Sequence, residues 1–219
     1  MAKRSFGKAT SNKPRKPGSR PQHIKMLIVT EGEVSEPQYF EYVKAAISSY
    51  GVNVKCVSGK SDPLKLVRKA VELRDAELAS FGVSGGFDEA WVVVDVDTHP
   101  TLEAARTLAD SSDIEMAISN PCFELWLLLH LQDHASHLLT SQLTELWQRK
   151  SGSSDKRVDS RILSGHFERA EKRAKSNRAM HERDGRLHPA DNPSTNVDTL
   201  VRKLLEQARA SSNNMELRL

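Results

Sequence analysis

The chain has 219 residues, of which 38% are hydrophobic and 28% are charged. That length fits one domain of ordinary size with an appendage, and the hydrophobic share is enough for one core. The longest apolar run, near Leu125 to Leu131, is too short to cross a bilayer, and residues 1–23 lack the apolar segment of a signal peptide. Cys56 and Cys122 have neither zinc-ligand spacing nor the pattern of a disulfide framework, which is typical of a reducing compartment. We therefore expect a cytoplasmic protein that does not enter the membrane.

Positive charge is concentrated in two segments, although the net charge is only +3. No acidic residue precedes Glu31, whereas eight lysines and arginines do, and a second basic stretch covers residues 149–186. Both segments could contact phosphate groups, but a solubilising tail and a solvated helix are the ordinary alternatives. Residues 1–23 hold too few apolar side chains to offset the entropy of ordering, so we predict a disordered basic arm there.

From residue 24 onward, strand patterns and helix patterns alternate. Short apolar or alternating runs predict strands at Lys25–Thr30, Val52–Val57, Glu89–Val94 and Ile114–Ile118. Apolar residues at helical spacing predict helices at 37–49, 62–79, 101–109 and 121–131. Asp62 before Pro63 and Asn120 before Pro121 are typical of helix starts. This order predicts an α/β fold with a parallel sheet of about four strands and helices on both faces.

Beyond residue 139 the pattern becomes helical throughout, with charged faces. Candidate helices cover 141–150, 163–183 and 195–210. We therefore predict a core at residues 24–139 and a C-terminal helical extension at 140–219 that packs on it.

Acidic side chains follow three of the predicted strands. The positions are Glu31, Glu33 and Glu36 after the first strand, Asp95 and Asp97 after the third, and Glu124 shortly after the fourth. Ligands collect at the carboxyl ends of parallel strands, so these acids are expected at one edge of the sheet. Simple capping or loop roles are the alternative, most of all for Glu124, because a helix dipole alone favours a glutamate in a first turn.

The Asp95–Asp97 pair is the strongest part of this pattern. Two carboxylates on one side of an extended segment repel each other unless a cation neutralises them. Oxygen ligands favour Mg²⁺ or Mn²⁺, and Gly32 permits a tight turn that could bring Glu31 beside the pair. We therefore predict a divalent metal site.

Several other residues are candidates for work on a phosphate substrate. His99 could donate a proton to a leaving oxygen or orient the phosphate, or it could be a loop histidine bonded to the backbone. Ser119 and Asn120 could contact substrate at a helix N-terminus, with plain capping as the alternative. One side of a predicted helix carries five basic residues that could follow a phosphate backbone: Arg169, Lys172, Arg173, Lys175 and Arg178. Glu168 and Glu171 reduce this charge through local pairs. We expect this helix to form a wall that holds substrate beside the acids.

Several segments of the chain resemble the RloB-like family. They are LIVTEGEVSEPQYF at 27–40, DPLKLV at 62–67, WVVVDVDTH at 91–99, SNPCFELWLLLH at 119–130 and PSTNVDTLV at 193–201. The resemblance runs from about residue 24 to residue 210 and leaves the basic arm outside.

The resemblance implies a core similar to Toprim domains, the catalytic fold of topoisomerases, primases and some nucleases. In that fold a glutamate after the first strand and a DxD motif bind metal, which implies roles for Glu31, Asp95 and Asp97. Many such motifs continue to a third acid, whereas this chain has His99 there, so His99, Glu36 or Glu124 could replace a ligand. Family members are encoded beside phage-defence genes, which implies a defence effector.

The leading hypothesis is a nuclease that uses Mg²⁺ or Mn²⁺ to cleave RNA, with tRNA as one option, or DNA. The first alternative is a non-catalytic module that senses a nucleotide or nucleic acid and pairs with another defence protein. Another phosphoryl-transfer enzyme, such as a primase-like polymerase or a phosphatase, is the second. A homodimer stays open under each hypothesis. No glycine-rich phosphate loop is present, which argues against a P-loop ATPase.

Overall fold

Five strands form one sheet, with the order β2-β1-β3-β4-β5. The computed structural model describes residues 24–96, 100–152, 157–211 and 219. The strands are β1 Ile24–Thr30, β2 Val52–Ser58, β3 Glu89–Asp95, β4 Glu115–Asn120 and β5 Ser194–Thr195. The first four are mutually parallel and β5 runs antiparallel to β4. The mixed α/β fold is the one predicted from the sequence, with one additional strand.

Helices connect the strands and continue after the sheet. They are α1 Ser35–Ile47, α2 Pro63–Phe81, α3 Leu102–Ser111, α4 Glu124–Leu131, α5 Thr140–Ser151, α6 Ser160–Leu163, α7 Phe167–Arg183 and α8 Val197–Ser211. The start of α2 follows the sequence prediction, because the Asp62 carboxylate accepts a hydrogen bond from the Lys65 N–H at 3.3 Å and Pro63 is the first helical residue. None of the helices in the described ranges is long and apolar enough to cross a membrane.

The two faces of the sheet are covered by different helices. Side chains alternate along each strand, so β1 sends Met26 and Ile28 into one core and Leu27 and Val29 into the other. The first core includes α1, α4, α7 and α8, and the second includes α2 and α3. Because the central strands are buried on both faces, they are apolar along almost their whole length.

Helix α4 lies wholly inside the first core. Its residues from Glu124 to His130 are all at most 2% exposed. Trp147 of α5 and Phe167 of α7 are buried in the same cluster. The rings of Trp126 and Phe167 pack edge to face, with 6.1 Å between their centroids. The helices after residue 139 therefore complete the burial of an element that begins at the sheet.

The predicted helix start at Asn120 is wrong. Asn120 is the last residue of β4, where it pairs with Ser194 of β5, and its side chain donates a hydrogen bond to the Pro189 carbonyl at 2.8 Å. Helix α4 starts four residues later, at Glu124. Asn120 therefore belongs to the sheet, because it pairs with a two-residue strand far along the chain that the local sequence did not indicate.

A buried ion pair joins the C-terminal helices to the edge of the sheet. Asp198 is fully buried, and its two carboxylate oxygens accept hydrogen bonds from the Arg178 guanidinium at 2.7 and 2.8 Å. Arg178 also donates to the Thr195 carbonyl of β5. One guanidinium therefore links α7, β5 and α8.

Replacing Arg178 by alanine is expected to lower the free energy of unfolding by about 3–5 kcal/mol, because the Asp198 carboxylate would stay buried without its counter-ion. Urea titration followed by circular dichroism measures the change. Arg183→Ala, at an exposed position of the same helix, is the matched control and should cost no more than about 0.5 kcal/mol. Equal effects of the two substitutions would contradict a structural role for the pair.

Candidate metal centre

A cleft of about 400 Å³ lies at the carboxyl edge of the sheet. The turn after β1, the loop after β2, the end of β3 and the start of α4 contribute to it. Its acidic lining residues are Glu31, Glu33, Glu36, Asp95 and Glu124. Acids that are up to 93 positions apart in the chain thus meet because β1, β3 and β4 are adjacent and parallel.

The turn after β1 places Glu31 against the end of β3. The Glu31 N–H donates to the Val93 carbonyl at 3.0 Å, which continues the ladder between the two strands by one residue. The Glu31 side chain then accepts a hydrogen bond from the Asp95 N–H at 3.2 Å. The carboxylate of Glu31 is thereby held beside Asp95 by backbone contacts at both ends.

Gly32 is required here by a close contact with Glu36. The Gly32 N–H donates to the Glu36 carboxylate at 2.9 Å, and Glu36 is only 5% exposed. A Cβ atom on Gly32 would lie 2.0 Å from a carboxylate oxygen of Glu36. Gly32 is not among the residues with positive φ, so the missing side chain matters more than conformational freedom.

Three potential metal ligands cluster at the junction of β3 and α4. Ligand atoms of Asp95, Cys122 and Glu124 all lie within 4.8 Å of one another. The Ser35 hydroxyl donates to Glu124 at 2.9 Å, and Glu124 is only 2% exposed. Burial raises the pKa of the Cys122 thiol, and the neighbouring charges of Glu124 and Asp95 raise it further.

Cys122 is the member of this cluster that the sequence did not indicate. An isolated cysteine without a partner at zinc-ligand spacing gives no metal signal by itself. Its position two residues before Glu124, in the link between β4 and α4, is the feature that could have indicated it.

The chemistry of these side chains fits a divalent cation. Among the described residues that line the cleft, five are acidic and Lys60 is basic, and Lys60 forms an ion pair with the exposed Glu33 at 2.9 Å. Carboxylates gathered this closely repel one another unless a cation neutralises them. Carboxylate oxygens are ligands for Mg²⁺ and Mn²⁺, and a nearby thiol is a softer donor that Mn²⁺ or Zn²⁺ tolerates better than Mg²⁺.

The family model for the RloB-like protein matches residues 26–204. The chain belongs to the RloB-like protein family. No curated protein and no solved structure matched the sequence. The matched range contains every acid of the cleft and the sheet except the first two residues of β1.

Two of the predicted site residues of this RloB-like chain are not described, and two others have surroundings that differ from the prediction. Asp97 and His99 lie outside the described residues. Ser119 is fully buried and its hydroxyl lies 2.9 Å from that of Thr195, so the predicted contact with substrate is not supported. The Asn120 amide is already bonded to the Pro189 carbonyl. Both residues join β4 to β5 instead.

The basic residues of α7 do not line the acidic cleft. Arg169, Lys172 and Arg173 line a second cleft together with residues 133–135, and the two clefts share no lining residue. Lys175 forms an ion pair with Glu171 at 2.8 Å. The expectation that this helix forms a wall beside the acids is therefore not supported.

Glu171 provides a pH-dependent contribution to stability. Its ion pair with Arg202 lowers the pKa of the Glu171 carboxyl, and Lys175 lowers it further. A carboxyl whose pKa is lower in the folded state stabilises the protein above its unfolded-state pKa, and this contribution is lost as the pH falls through the folded-state value.

We accordingly expect the loss of stability caused by Glu171→Gln to be largest near pH 7 and to shrink as the pH falls below about 4. Chemical denaturation of wild type and variant at a series of pH values measures this difference. Glu182→Gln, on an exposed part of the same helix, serves as control. A pH-independent difference for Glu171→Gln would contradict the assignment.

Proposed function

We propose that this protein is a metal-dependent nuclease that hydrolyses phosphodiester bonds in RNA or DNA, and that it acts as a bacterial defence effector in the cytoplasm. The observation that carries the proposal is the gathering of Glu31, Glu36, Asp95 and Glu124 in one cleft at the carboxyl edge of a parallel sheet. Membership of the RloB-like family supports it, since the resemblance implies a Toprim-like metal site.

Glu31, Asp95 and Glu124 are the residues that would hold Mg²⁺ or Mn²⁺, with Glu36 beside them and Asp97 two positions after Asp95. A divalent ion in such a site polarises a phosphoryl oxygen and lowers the pKa of a bound water molecule. In the hydrolysis, water gives up a proton, for which Glu31 is the candidate general base if it is not a metal ligand, and adds to phosphorus. The bond from phosphorus to the leaving oxygen breaks, and that oxygen takes up a proton. His99 stays the candidate for donating this proton.

The protein's own contribution is to fix the orientation of the carboxylates before substrate arrives. Backbone N–H groups of Asp95 and Gly32 hold Glu31 and Glu36, and the Ser35 hydroxyl holds Glu124. Outer contacts of this kind typically change metal affinity or activity by about 10–100-fold. Lys60, the basic residue among the described lining, is exposed and paired with Glu33 at 2.9 Å.

Asp95→Asn and Glu31→Gln are each expected to lower cleavage on the order of 100-fold or more, because each removes a charged ligand and keeps the shape of the side chain. The assay uses labelled total RNA and plasmid DNA with Mg²⁺, Mn²⁺ or EDTA, and it identifies the substrate class. Wild-type activity should be lost in EDTA.

Glu41→Gln is the matched control for this assay. Glu41 lies on the exposed side of α1, the helix that carries Glu36, and its ion pair with Lys44 is on the surface. Equal cleavage by Asp95→Asn and Glu41→Gln would contradict the proposed site. No cleavage by folded wild type, with Mn²⁺ still bound, would favour the alternative of a sensing module that pairs with another defence protein.

Gly32→Ala is expected to weaken Mn²⁺ binding by about 10-fold or more, because the new methyl group must displace the Glu36 carboxylate. Titration calorimetry with Mn²⁺ measures the affinity without any need for substrate. Gly86→Ala is a control for the chemical change, since Gly86 has no positive φ, lies outside the acidic cleft, and a Cβ atom there would make only ordinary van der Waals contacts. Unchanged Mn²⁺ affinity in Gly32→Ala would show that the position of Glu36 does not matter for the metal.

A further inference from the structure

A second cleft, of about 440 Å³, lies between α7 and the segment after α4. Its lining residues are Asp133, His134, Ala135, Arg169, Lys172, Arg173, Ser176 and Asn177. We infer that this basic cleft binds the phosphate groups of a nucleic-acid strand and anchors it away from the acidic cleft. The choice of ligand rests on the nuclease proposed above, but the binding itself can be measured without cleavage.

The charged side chains on the two sides of α7 differ in whether they form ion pairs. On one side, Glu168 and Glu171 are paired with Arg202, and Glu171 is paired with Lys175 as well. On the other side, Arg169, Lys172 and Ser176 recur at helical spacing and line the basic cleft. Arg169 and Lys172 are exposed, and neither has an ion pair within the described ranges of the chain. Positive charge is therefore neutralised on one side of the helix and available on the other.

The walls of the basic cleft are fixed by hydrogen bonds. The Arg173 guanidinium donates to the Leu129 and His130 carbonyls at 2.7 and 3.2 Å and forms an ion pair with Asp133. The Asn177 amide, only 7% exposed, donates to the His134 carbonyl at 2.7 Å. These contacts join the end of α4 to the middle of α7, so the cleft keeps its shape when no ligand is bound.

The chemistry of the free side chains selects phosphate. Arg169 offers a planar guanidinium, Lys172 an ammonium group and Ser176 a hydroxyl, which are the usual donors to phosphate oxygens. Residues one helical turn apart have Cβ atoms about 5–6 Å apart. The two cations can therefore contact neighbouring phosphates of one strand and carry no information about its base sequence.

The basic cleft is placed to hold a substrate strand and not to take part in its cleavage. Glu124 lines the acidic cleft at the start of α4, and Asp133 lines the basic cleft just beyond its end. A helix of this length spans about 12 Å, which corresponds to about four steps of a duplex strand. A strand held at Arg169 and Lys172 would thus be gripped several nucleotides from the carboxylates.

The test is fluorescence anisotropy of the full chain with labelled 20-nucleotide RNA, DNA and duplex strands, in EDTA and at several salt concentrations. Arg169→Glu/Lys172→Glu should weaken binding on the order of 10-fold or more at 0.1 M salt and reduce the salt slope by about 1.5, as expected for two lost phosphate contacts. Arg68→Glu/Arg209→Glu is the control, because it changes the net charge equally at two other exposed positions. It should bind like wild type apart from a small general effect.

Equal losses in the two double variants, or no binding by folded wild type, would overturn the inference. Arg169→Gln/Lys172→Gln gives a second measurement that does not introduce repulsion, and its salt slope should fall by the same amount. Tripolyphosphate as competitor separates a strand from free phosphate: if it displaces the oligonucleotide at equal phosphate concentration, the assignment to nucleic acid is wrong. Asp95→Asn should bind normally in EDTA even if it no longer cleaves, so failure of this inference is distinguishable from failure of the nuclease proposal.

Discussion

Burial of α4 on all sides is the constraint on which both clefts depend. This helix of eight residues lies between one face of the sheet and the helices α5 and α7. Its first residue, Glu124, reaches the acidic cleft, and its last carbonyls are bonded by Arg173 beside the basic cleft. A core packed this tightly allows little movement, so the two clefts are held at a fixed separation.

The acidic cleft brings together carboxylates that repel one another. Glu36 and Glu124 are both almost fully buried, and removing carboxylates from water and placing them close together costs free energy. Hydrogen bonds to these carboxylates, from the Ser35 hydroxyl and the Gly32 N–H, offset part of this free-energy cost. A bound divalent cation would offset the remaining repulsion between the carboxylates.

The sequence predicted the features that depend on local pattern. Apolar runs located the four parallel strands, and the order of the elements then brought Glu31 next to Asp95. It did not predict features that depend on distant partners: β5 has two residues and pairs with β4 across more than 70 positions, and it displaces the start of α4 from Asn120 to Glu124. The pairing of Arg173 with Asp133, which lies 40 positions away, was hidden for the same reason, because a basic pattern on a helix does not show which charges are paired with another part of the chain.

Strand β5 also determines how the sheet can grow. Beyond its two residues, the Asn196 side chain accepts from the Ile118 N–H at 2.6 Å and donates to the Met116 carbonyl at 3.1 Å. The outer edge of β4 is therefore occupied by the protein's own chain, which removes a template for pairing with a neighbouring molecule. The other edge strand of the described sheet is β2, which has seven residues against the two of β5 and is therefore the longer edge at which a strand from a second protein could add.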